Sequence, residues 1–116
     1  MAKLTVFHNP ACSNSRGALQ LLKERGVDCE IIEYLRTPPT RETLERILAM
    51  LEDPAADLVR KDKRFGELGL NADDYVDQKK IVALLLEHPE LMQRPVVIRD
   101  RRAIIARPPE KLLPLI

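Results

Sequence analysis

The sequence predicts an α/β fold with a four-stranded mixed sheet and flanking helices. Four apolar runs have the length of strands and lie towards the two ends of the chain, at residues 3–8, 29–34, 96–99 and 103–106. A helical pattern with short links joins the first two runs, which is typical of a βαβ unit with parallel strands. Three residues separate the last two runs, so these strands are expected to form a hairpin with an extra residue at its turn.

The first helix is predicted over about residues 13–25. Ala18, Leu21 and Leu22 would form its buried stripe. Gly26 is a natural stop because glycine readily adopts the left-handed conformation that ends many helices.

A helical insertion is predicted over about residues 38–90, between the second and third strands. Its helices are one capped by Thr40, a short one from Pro54 to Leu58, and one capped by Asp77 and ended by His88-Pro89. The mostly basic stretch at 61–64 is expected to face solvent, and Pro108-Pro109 opens a last short helix.

Without this insertion, the order of elements is that of a thioredoxin-like core, with helices on both faces of the sheet. We therefore expect one thioredoxin-like domain over residues 1–116. The bond between Arg94 and Pro95, just before the third strand, is a candidate cis peptide, since X–Pro bonds adopt that form at little cost.

Composition argues against several classes of function. The 19 Lys and Arg residues nearly balance the 18 Asp and Glu residues, so no net charge attracts nucleic acid or a membrane surface. Two Tyr, two Phe and no Trp leave few platforms on which bases could stack. No apolar stretch approaches the ~18 residues of a membrane span, and the amino terminus does not resemble a signal peptide. We expect a cytoplasmic protein, where cysteines are more often chemical than structural.

Cys12 is the strongest candidate for a catalytic residue. It lies where the first strand ends and the first helix begins, over backbone N–H groups that have no partner inside the helix. Those groups and the helix dipole favour an anion, and cysteines at such positions have pKa values of roughly 3.5–7.5 rather than about 8.5. Cys29 lies among apolar residues of the second strand and is expected to have a packing role.

The segment from Cys12 to Ser15 reads C-x-x-S, a dithiol redox motif whose second sulfur is replaced by a hydroxyl. Such a site can form a mixed disulfide but needs an outside thiol to resolve it. Tyrosine-phosphatase chemistry requires a longer loop before its arginine, and Arg16 follows Cys12 too closely. A metal is not expected, because the histidines and cysteines lack the paired spacing of zinc ligands.

Motifs along nearly the whole chain resemble those of the glutaredoxin-dependent arsenate reductases. In order, they are His8-Asn9-Pro10-x-Cys12-x-x-Ser15-Arg16, Tyr34-Leu35 with Pro38-Pro39, Leu58-Val59-Arg60-Lys61, Leu68-Gly69-Leu70, His88-Pro89, Arg94-Pro95 and Arg107-Pro108. The resemblance implies that Cys12 is the nucleophile and that Arg60, Arg94 and Arg107 form an oxyanion clamp. Guanidinium groups suit such an anion, since their forked N–H donors match paired oxygens. For each arginine, simple surface solvation is the alternative.

Four residues of the amino-terminal motif have further roles implied by the same resemblance. His8 and Ser15 would assist the thiolate, while Asn9 and Arg16 would contribute to substrate binding from the same loop. For His8, a packed position at the end of the strand is the alternative.

The resemblance also implies a mechanism with outside reductants and no bound cofactor. The Cys12 thiolate would attack arsenic, glutathione would act as co-substrate, and glutaredoxin would reduce the resulting disulfide. Two other functions stay open: a glutathione-linked thiol reductase of another substrate, and a redox-responsive transcription regulator that binds RNA polymerase. The regulator would be expected to carry a second cysteine where this chain has Ser15.

Overall fold

The computed structural model describes residues 4–116, and its centre is a four-stranded mixed sheet. The strands are β1 (Leu4–His8), β2 (Cys29–Glu33), β3 (Val96–Arg99) and β4 (Arg102–Ile105). Their spatial order is β2-β1-β3-β4, with β1 parallel to β2 and antiparallel to β3, and β3 antiparallel to β4. This arrangement confirms the predicted fold class. Lys3, where the sequence places the start of the first strand, lies outside the described residues.

In the described part of the chain, residues 4–116, four α-helices and four short 3-10 helices surround the sheet. The α-helices are α1 (Ser13–Glu24), α2 (Arg41–Met50), α3 (Lys63–Glu67) and α4 (Gln78–Glu87). The 3-10 helices cover Ala55–Leu58, Ala72–Asp74, Pro89–Leu91 and Pro109–Leu115. Within residues 4–116, none of the helices combines the length and the apolar character needed to cross a bilayer.

The sheet separates two apolar clusters because successive side chains of a strand point to opposite faces. Leu4 and Val6 of β1 face a cluster with α1 and the last helix. Phe7 of the same strand faces the larger cluster, which contains the helices inserted between β2 and β3. Each face of the sheet is therefore covered, as the thioredoxin-like prediction requires.

Helix α1 forms as its sequence predicts. Ala18 and Leu22 are buried and Leu21 is partly buried, and Gly26 ends the helix with a φ of +65°. The helix packs closely on Pro109 of the last 3-10 helix: a Cβ added at Gly17 would lie 2.9 Å from the Cγ of that proline. This contact fixes the start of α1 against the segment that follows β4.

The caps of the inserted helices agree only in part with the prediction. The hydroxyl of Thr40 accepts a hydrogen bond of 3.2 Å from the backbone N–H of Thr43, as expected for a cap. Asp77 occupies the position before α4, but its side chain makes no capping hydrogen bond. The basic residues of the stretch at 61–64 face solvent as predicted, since Lys61, Lys63 and Arg64 are exposed, while the half-buried Asp62 caps α3 through the N–H of Phe65.

The hairpin has a two-residue turn rather than the predicted three. Arg99 pairs with Arg102, so Arg102 belongs to β4. Asp100 closes the turn with a φ of +57°, a conformation that aspartate tolerates better than most residues. The Arg94–Pro95 bond is cis, as predicted, and the Arg107–Pro108 bond is also cis.

Candidate active site

Cys12 occupies the capping position of α1, in the corner between β1 and that helix. Its backbone is extended, and its N–H donates a 3.0 Å hydrogen bond to the carbonyl of Asn9. Its own carbonyl accepts the first helical hydrogen bond, from the N–H of Arg16. The side chain is only 9% exposed, so it sits in a shallow recess rather than on the open surface.

The thiol of Cys12 is more acidic than an ordinary cysteine. Burial raises its pKa, but hydrogen bonds from the backbone N–H groups of Ser15 and Asn14, and from the side chain of Arg94, lower it by more. The positive charge of Arg94 adds to this effect, and the net pKa is about 7. Roughly half of the thiol is therefore ionised at neutral pH.

Arg107 is the second guanidinium beside the sulfur. Its Nη1 lies 3.7 Å from Sγ of Cys12 and donates a 3.1 Å hydrogen bond to the carbonyl of Arg94. The amide of Asn14 fits best with its oxygen turned towards Arg107, from which it then accepts two hydrogen bonds of 3.3 Å. Arg107 is thus held by its neighbours, with its charge directed at the thiol.

The guanidinium of Arg94 has an N–H donor that is not used in a hydrogen bond. Its Nη1 makes a long contact of 3.5 Å with the carbonyl of Glu90, and its Nε is buried without a hydrogen-bond partner. Nδ1 of His8 is also buried without one. Since buried polar atoms are almost always paired, these two atoms give the predicted site the capacity to hydrogen-bond a ligand or water.

Asn9 and Ser15 shape the loop that carries the sulfur. Ser15 is fully buried, and its Oγ accepts a 3.3 Å hydrogen bond from the backbone N–H of Asn9. The side-chain Oδ1 of Asn9 accepts a 3.0 Å hydrogen bond from the N–H of Ala11. These contacts hold the loop from inside, and the implied roles of Asn9 in substrate binding and of Ser15 in assisting the thiolate stay predictions.

Arg16 and His8 flank the loop. Nη1 of Arg16 donates a 3.0 Å hydrogen bond to the carbonyl of Pro10, while the side chain itself is exposed. Burial lowers the pKa of His8, Glu33 raises it and Arg16 lowers it, so the net value lies below the ordinary one. The imidazole is therefore largely neutral at pH 7, and its assistance to the thiolate stays a prediction.

Arg60 is the third arginine of the predicted oxyanion clamp, and it is paired with a carboxylate. Its Nε lies 3.4 Å from Oδ2 of Asp62, and both side chains are about one-third exposed or less, at 31% and 28%. An isolated bridge between Val59 and Met92 sets this segment alongside the one that leads to Arg94. The structure thus joins Arg94 and Arg107 to Cys12 but pairs Arg60 with a carboxylate, and its role in the clamp stays a prediction.

The sequence patterns predict no role for two further residues of the site. Asn14 contacts Arg107, and Tyr34 lies buried where β2 ends, with its hydroxyl donating a 3.3 Å hydrogen bond to the carbonyl of Met92. A tyrosine at the end of a strand is usually part of the core, so its place in the Tyr34-Leu35 motif does not by itself indicate a role in the site. Its contribution becomes visible only when the side chains around it are known.

A groove of about 330 Å³ adjoins the site, and Arg107 forms part of its wall. The other charged residues that line the groove are Asp53, Asp57, Lys61 and Lys111. A second, larger cavity of about 650 Å³ lies between α4 and the segment after α3, and includes none of the predicted site residues. Among the described residues, no three His, Cys, Asp or Glu side chains are grouped as metal ligands would be.

Comparison with known proteins gives a consistent result. The model of the ArsC family matches residues 7–115. The chain is 39% identical to the uncharacterized protein YfgD of Escherichia coli, over 98% of this chain and 97% of the relative. It is also 39% identical to the arsenate reductase of Neisseria meningitidis, over 97% of each chain.

A solved structure, that of an arsenate reductase from Vibrio cholerae, superimposes with a TM-score of 0.88 at 33% identity. The superposition covers 99% of this chain and 98% of the other. Sequence and fold therefore agree over the whole described chain, including the corner that holds Cys12. The protein belongs to the ArsC family, and its sheet and flanking helices are those of a thioredoxin-like fold.

Proposed function

We propose that this protein reduces arsenate to arsenite through Cys12, with glutathione and glutaredoxin as the reductants. One observation carries most of the proposal: a thiol with a pKa of about 7 stands at the start of a helix, 3.7 Å from a guanidinium nitrogen of Arg107. Such a group is a nucleophile at neutral pH that faces a binding site for anions.

The substrate class follows from the charges beside the sulfur. Arsenate is a tetrahedral oxyanion, and a guanidinium offers forked N–H donors that match two of its oxygens. Arg94 has an unpartnered Nε, and Arg107 already directs Nη1 at the place where a group bound to sulfur would lie. These two arginines would bind the oxyanion and stabilise the charge that develops when sulfur attacks.

The proposed reaction proceeds in three steps. The Cys12 thiolate forms a bond to arsenic, and one arsenate oxygen takes up protons and leaves as water. The glutathione thiolate then attacks the sulfur of Cys12: a disulfide forms, the arsenic–sulfur bond breaks, and its electron pair stays on arsenic, which departs as arsenite. Glutaredoxin reduces the disulfide between Cys12 and glutathione and restores the thiol.

The need for outside thiols is supported by the position of the second cysteine. Ser15 stands where a dithiol motif would have its second sulfur. Cys29 pairs with Leu4, four residues from His8 along β1, or about 13 Å at the rise of a strand. A disulfide needs Cα atoms within about 7 Å, so Cys29 is poorly placed to resolve an intermediate on Cys12. Glutathione and glutaredoxin act in the reducing cytoplasm, where we propose that the protein works.

The experiment is an assay of arsenate-dependent NADPH oxidation with purified protein, glutathione, glutaredoxin and glutathione reductase. We expect turnover with the wild-type protein and with Cys29→Ser, and none with Cys12→Ser. Wild-type protein without turnover would refute the proposal, as would a Cys12→Ser variant with full activity. Omitting glutaredoxin should slow turnover, which tests the proposed reductant separately from the proposed substrate.

A second candidate is a glutathione-linked reductase that acts on another substrate through the same thiol. The groove beside Arg107 favours it, because charged groups of both signs, such as Asp57 and Lys61, suit a zwitterionic peptide as well as an inorganic anion. Replacing arsenate by a glutathione mixed disulfide in the same assay separates the two. A regulator that responds through a disulfide within the motif is not favoured, since Ser15 is fully buried and carries no sulfur.

A further inference from the structure

The phenol of Tyr34 lies beneath the candidate site and connects its parts. The side chain is fully buried directly after β2, and its hydroxyl donates to the carbonyl of Met92 at 3.3 Å. Met92 precedes Arg94 by two residues. The phenol therefore contacts the segment that presents this arginine to Cys12.

Burial has the largest effect on the pKa of Tyr34 and raises it, while the side chains of Asn9 and Arg94 lower it by hydrogen bonding, so both side chains lie beside the phenol. Asn9 uses its Oδ1 for the N–H of Ala11, which leaves its NH₂ group to face the phenol. A phenolic oxygen can donate one hydrogen bond and accept two. Tyr34 thus lies between the Cys12 loop and Arg94, and its oxygen can accept from both.

Arg94 has few other partners. Its contact with the Glu90 carbonyl is long at 3.5 Å, and its Nε has no partner. Among residues 4–116, no carboxylate forms a salt bridge with it, whereas Arg64 pairs with Glu90 at 3.0 Å and Arg102 with Glu52 at 2.6 Å. The phenol, which lies beside Arg94 and binds the carbonyl of Met92 two residues earlier, is therefore one of the few groups that can hold this guanidinium.

A neutral hydroxyl beside Arg94 differs from a carboxylate in its effect on the positive charge of this arginine. Burial raises the pKa of Tyr34, although Arg94 opposes this, so the hydroxyl stays protonated at neutral pH. A carboxylate in this position would hold Arg94 equally well but would cancel its charge. A hydroxyl holds the guanidinium in place without cancelling its positive charge. That charge can therefore still stabilise the thiolate of Cys12.

We propose that Tyr34 is a positioning residue of the active site: its hydroxyl holds Arg94 beside Cys12 without neutralising it, and so keeps the thiol ionised. The inference rests on the proposed function only in taking Cys12 as the nucleophile. Its primary test needs no arsenate.

The test compares alkylation of Cys12 by iodoacetamide in the wild-type protein and in Tyr34→Phe, with the modified peptide quantified by mass spectrometry. Removing the hydroxyl should slow the reaction roughly three- to tenfold at pH 6, where few thiols are ionised, and change it little at pH 9. Loss of structure would instead expose Cys12 and accelerate the reaction at pH 9, where the thiol is mostly ionised with or without the fold. Tyr75→Phe is the matched control, since that ring packs edge-on against Phe65 at 5.9 Å and should leave both rates unchanged. An unchanged rate at pH 6 in Tyr34→Phe would overturn the proposal.

The route through Arg94 is tested by a double-mutant cycle. Arg94→Gln should also slow alkylation at pH 6, and adding Tyr34→Phe to it should have little further effect. Full additivity of the two effects would show that Tyr34 does not act through Arg94 and would overturn the proposal in this form.

A third measurement leaves Tyr34 in place and decides the matter if Tyr34→Phe does not fold. In Tyr75→Phe protein grown with 3-fluorotyrosine, the only labelled tyrosine is Tyr34. Its ¹⁹F resonance should shift with a midpoint near pH 7, and Cys12→Ser should abolish that shift. A resonance that does not respond in this range would overturn the proposal. Failure of arsenate turnover together with these results would refute the proposed substrate and leave the role of Tyr34 standing.

Discussion

Nη1 of Arg107 lies 3.7 Å from Sγ of Cys12, so two residues 95 positions apart in the sequence meet at the start of α1. The same nitrogen donates to the carbonyl of Arg94, which brings the second arginine of the site into the same small network. The sulfur, the start of the helix and two guanidinium groups thus lie together, so that N–H donors and positive charge surround an acidic thiol. This relationship, rather than any single residue, distinguishes Cys12 from an ordinary buried thiol.

The contact between Arg107 and Cys12 predicts a large effect of removing the guanidinium. Arg107→Ala should lower kcat/KM for arsenate roughly 10²-fold, the size of effect seen when one donor to a developing oxyanion is deleted. For Arg107→Lys, kcat/KM should lie between the wild-type and Arg107→Ala values, because lysine keeps the positive charge but lacks the paired N–H donors of the guanidinium. Arg101→Ala, in the exposed hairpin turn, is the matched control and should retain activity within about twofold. Equal losses at positions 101 and 107 would contradict the assignment of Arg107.

The pairing of Arg60 with Asp62 gives a test of whether Arg60 joins the clamp. Asp62→Asn keeps an oxygen that can cap α3 but removes the charge that competes for Arg60. If Arg60 binds substrate, KM for arsenate should fall about 1.5- to fivefold, since partly exposed pairs are worth about 0.2–1 kcal/mol. Asp77→Asn, before α4, is the control. An unchanged KM in Asp62→Asn would place Arg60 outside the clamp.

The acidity of Cys12 predicts a pH-dependent contribution to stability. The pKa of the folded-state thiol, about 7, lies below that of the unfolded chain, so between these values the unfolded state binds the extra proton. The contribution is therefore present above the unfolded pKa and is lost as pH falls through 7. The cost of Cys12→Ser, measured by urea unfolding under reducing conditions, should be about 2 kcal/mol larger at pH 9 than at pH 6. Equal costs at the two pH values would contradict a thiolate stabilised by the fold.

The glycines of α1 and α3 predict opposite responses to alanine. At Gly66 an added Cβ meets nothing within 4 Å, so Gly66→Ala should raise the free energy of unfolding by about 0.5–1 kcal/mol through helix propensity. At Gly17 the Cβ would lie 2.9 Å from Cγ of Pro109, and overpacking should outweigh the same propensity, lowering stability by about 1 kcal/mol. Thermal unfolding of the two variants checks this. Stabilisation by Gly17→Ala would mean that the last helix is not packed on α1 as described.

Elements governed by local chemistry are predictable from this sequence. Thr40 caps α2, Gly26 ends α1, and the first two strands pair in parallel, because caps, stops and periodicity act over a few neighbouring residues. Helix α3 is not predictable in this way. Its one buried residue, Phe65, stands between charged residues and a glycine, and a single apolar residue has no period.

The features of the site can also be separated into those that local sequence predicts and those that depend on distant contacts. The corner that holds Cys12 follows from the break at Asn9-Pro10 and the helix after it. The meeting of Cys12 with Arg107 depends on contacts between distant segments, and a resemblance to known sequences implied it where spacing could not. Tyr34 belongs to one of the resembling motifs, but neither kind of reasoning predicted a role for it, because that role depends on which side chains surround one buried oxygen.

The most direct test of the account is a titration of the Cys12 thiol. Absorbance at 240 nm, which reports thiolate, would be followed against pH in the wild-type protein and in Cys12→Ser, and the difference assigned to Cys12. We predict a midpoint near pH 7 that moves upward in Arg94→Gln, because Arg94 lowers the pKa of the thiol. We expect the same direction in Arg107→Ala, because Nη1 of Arg107 lies 3.7 Å from the sulfur. A midpoint at or above about 8.5, unaffected by either arginine, would contradict it.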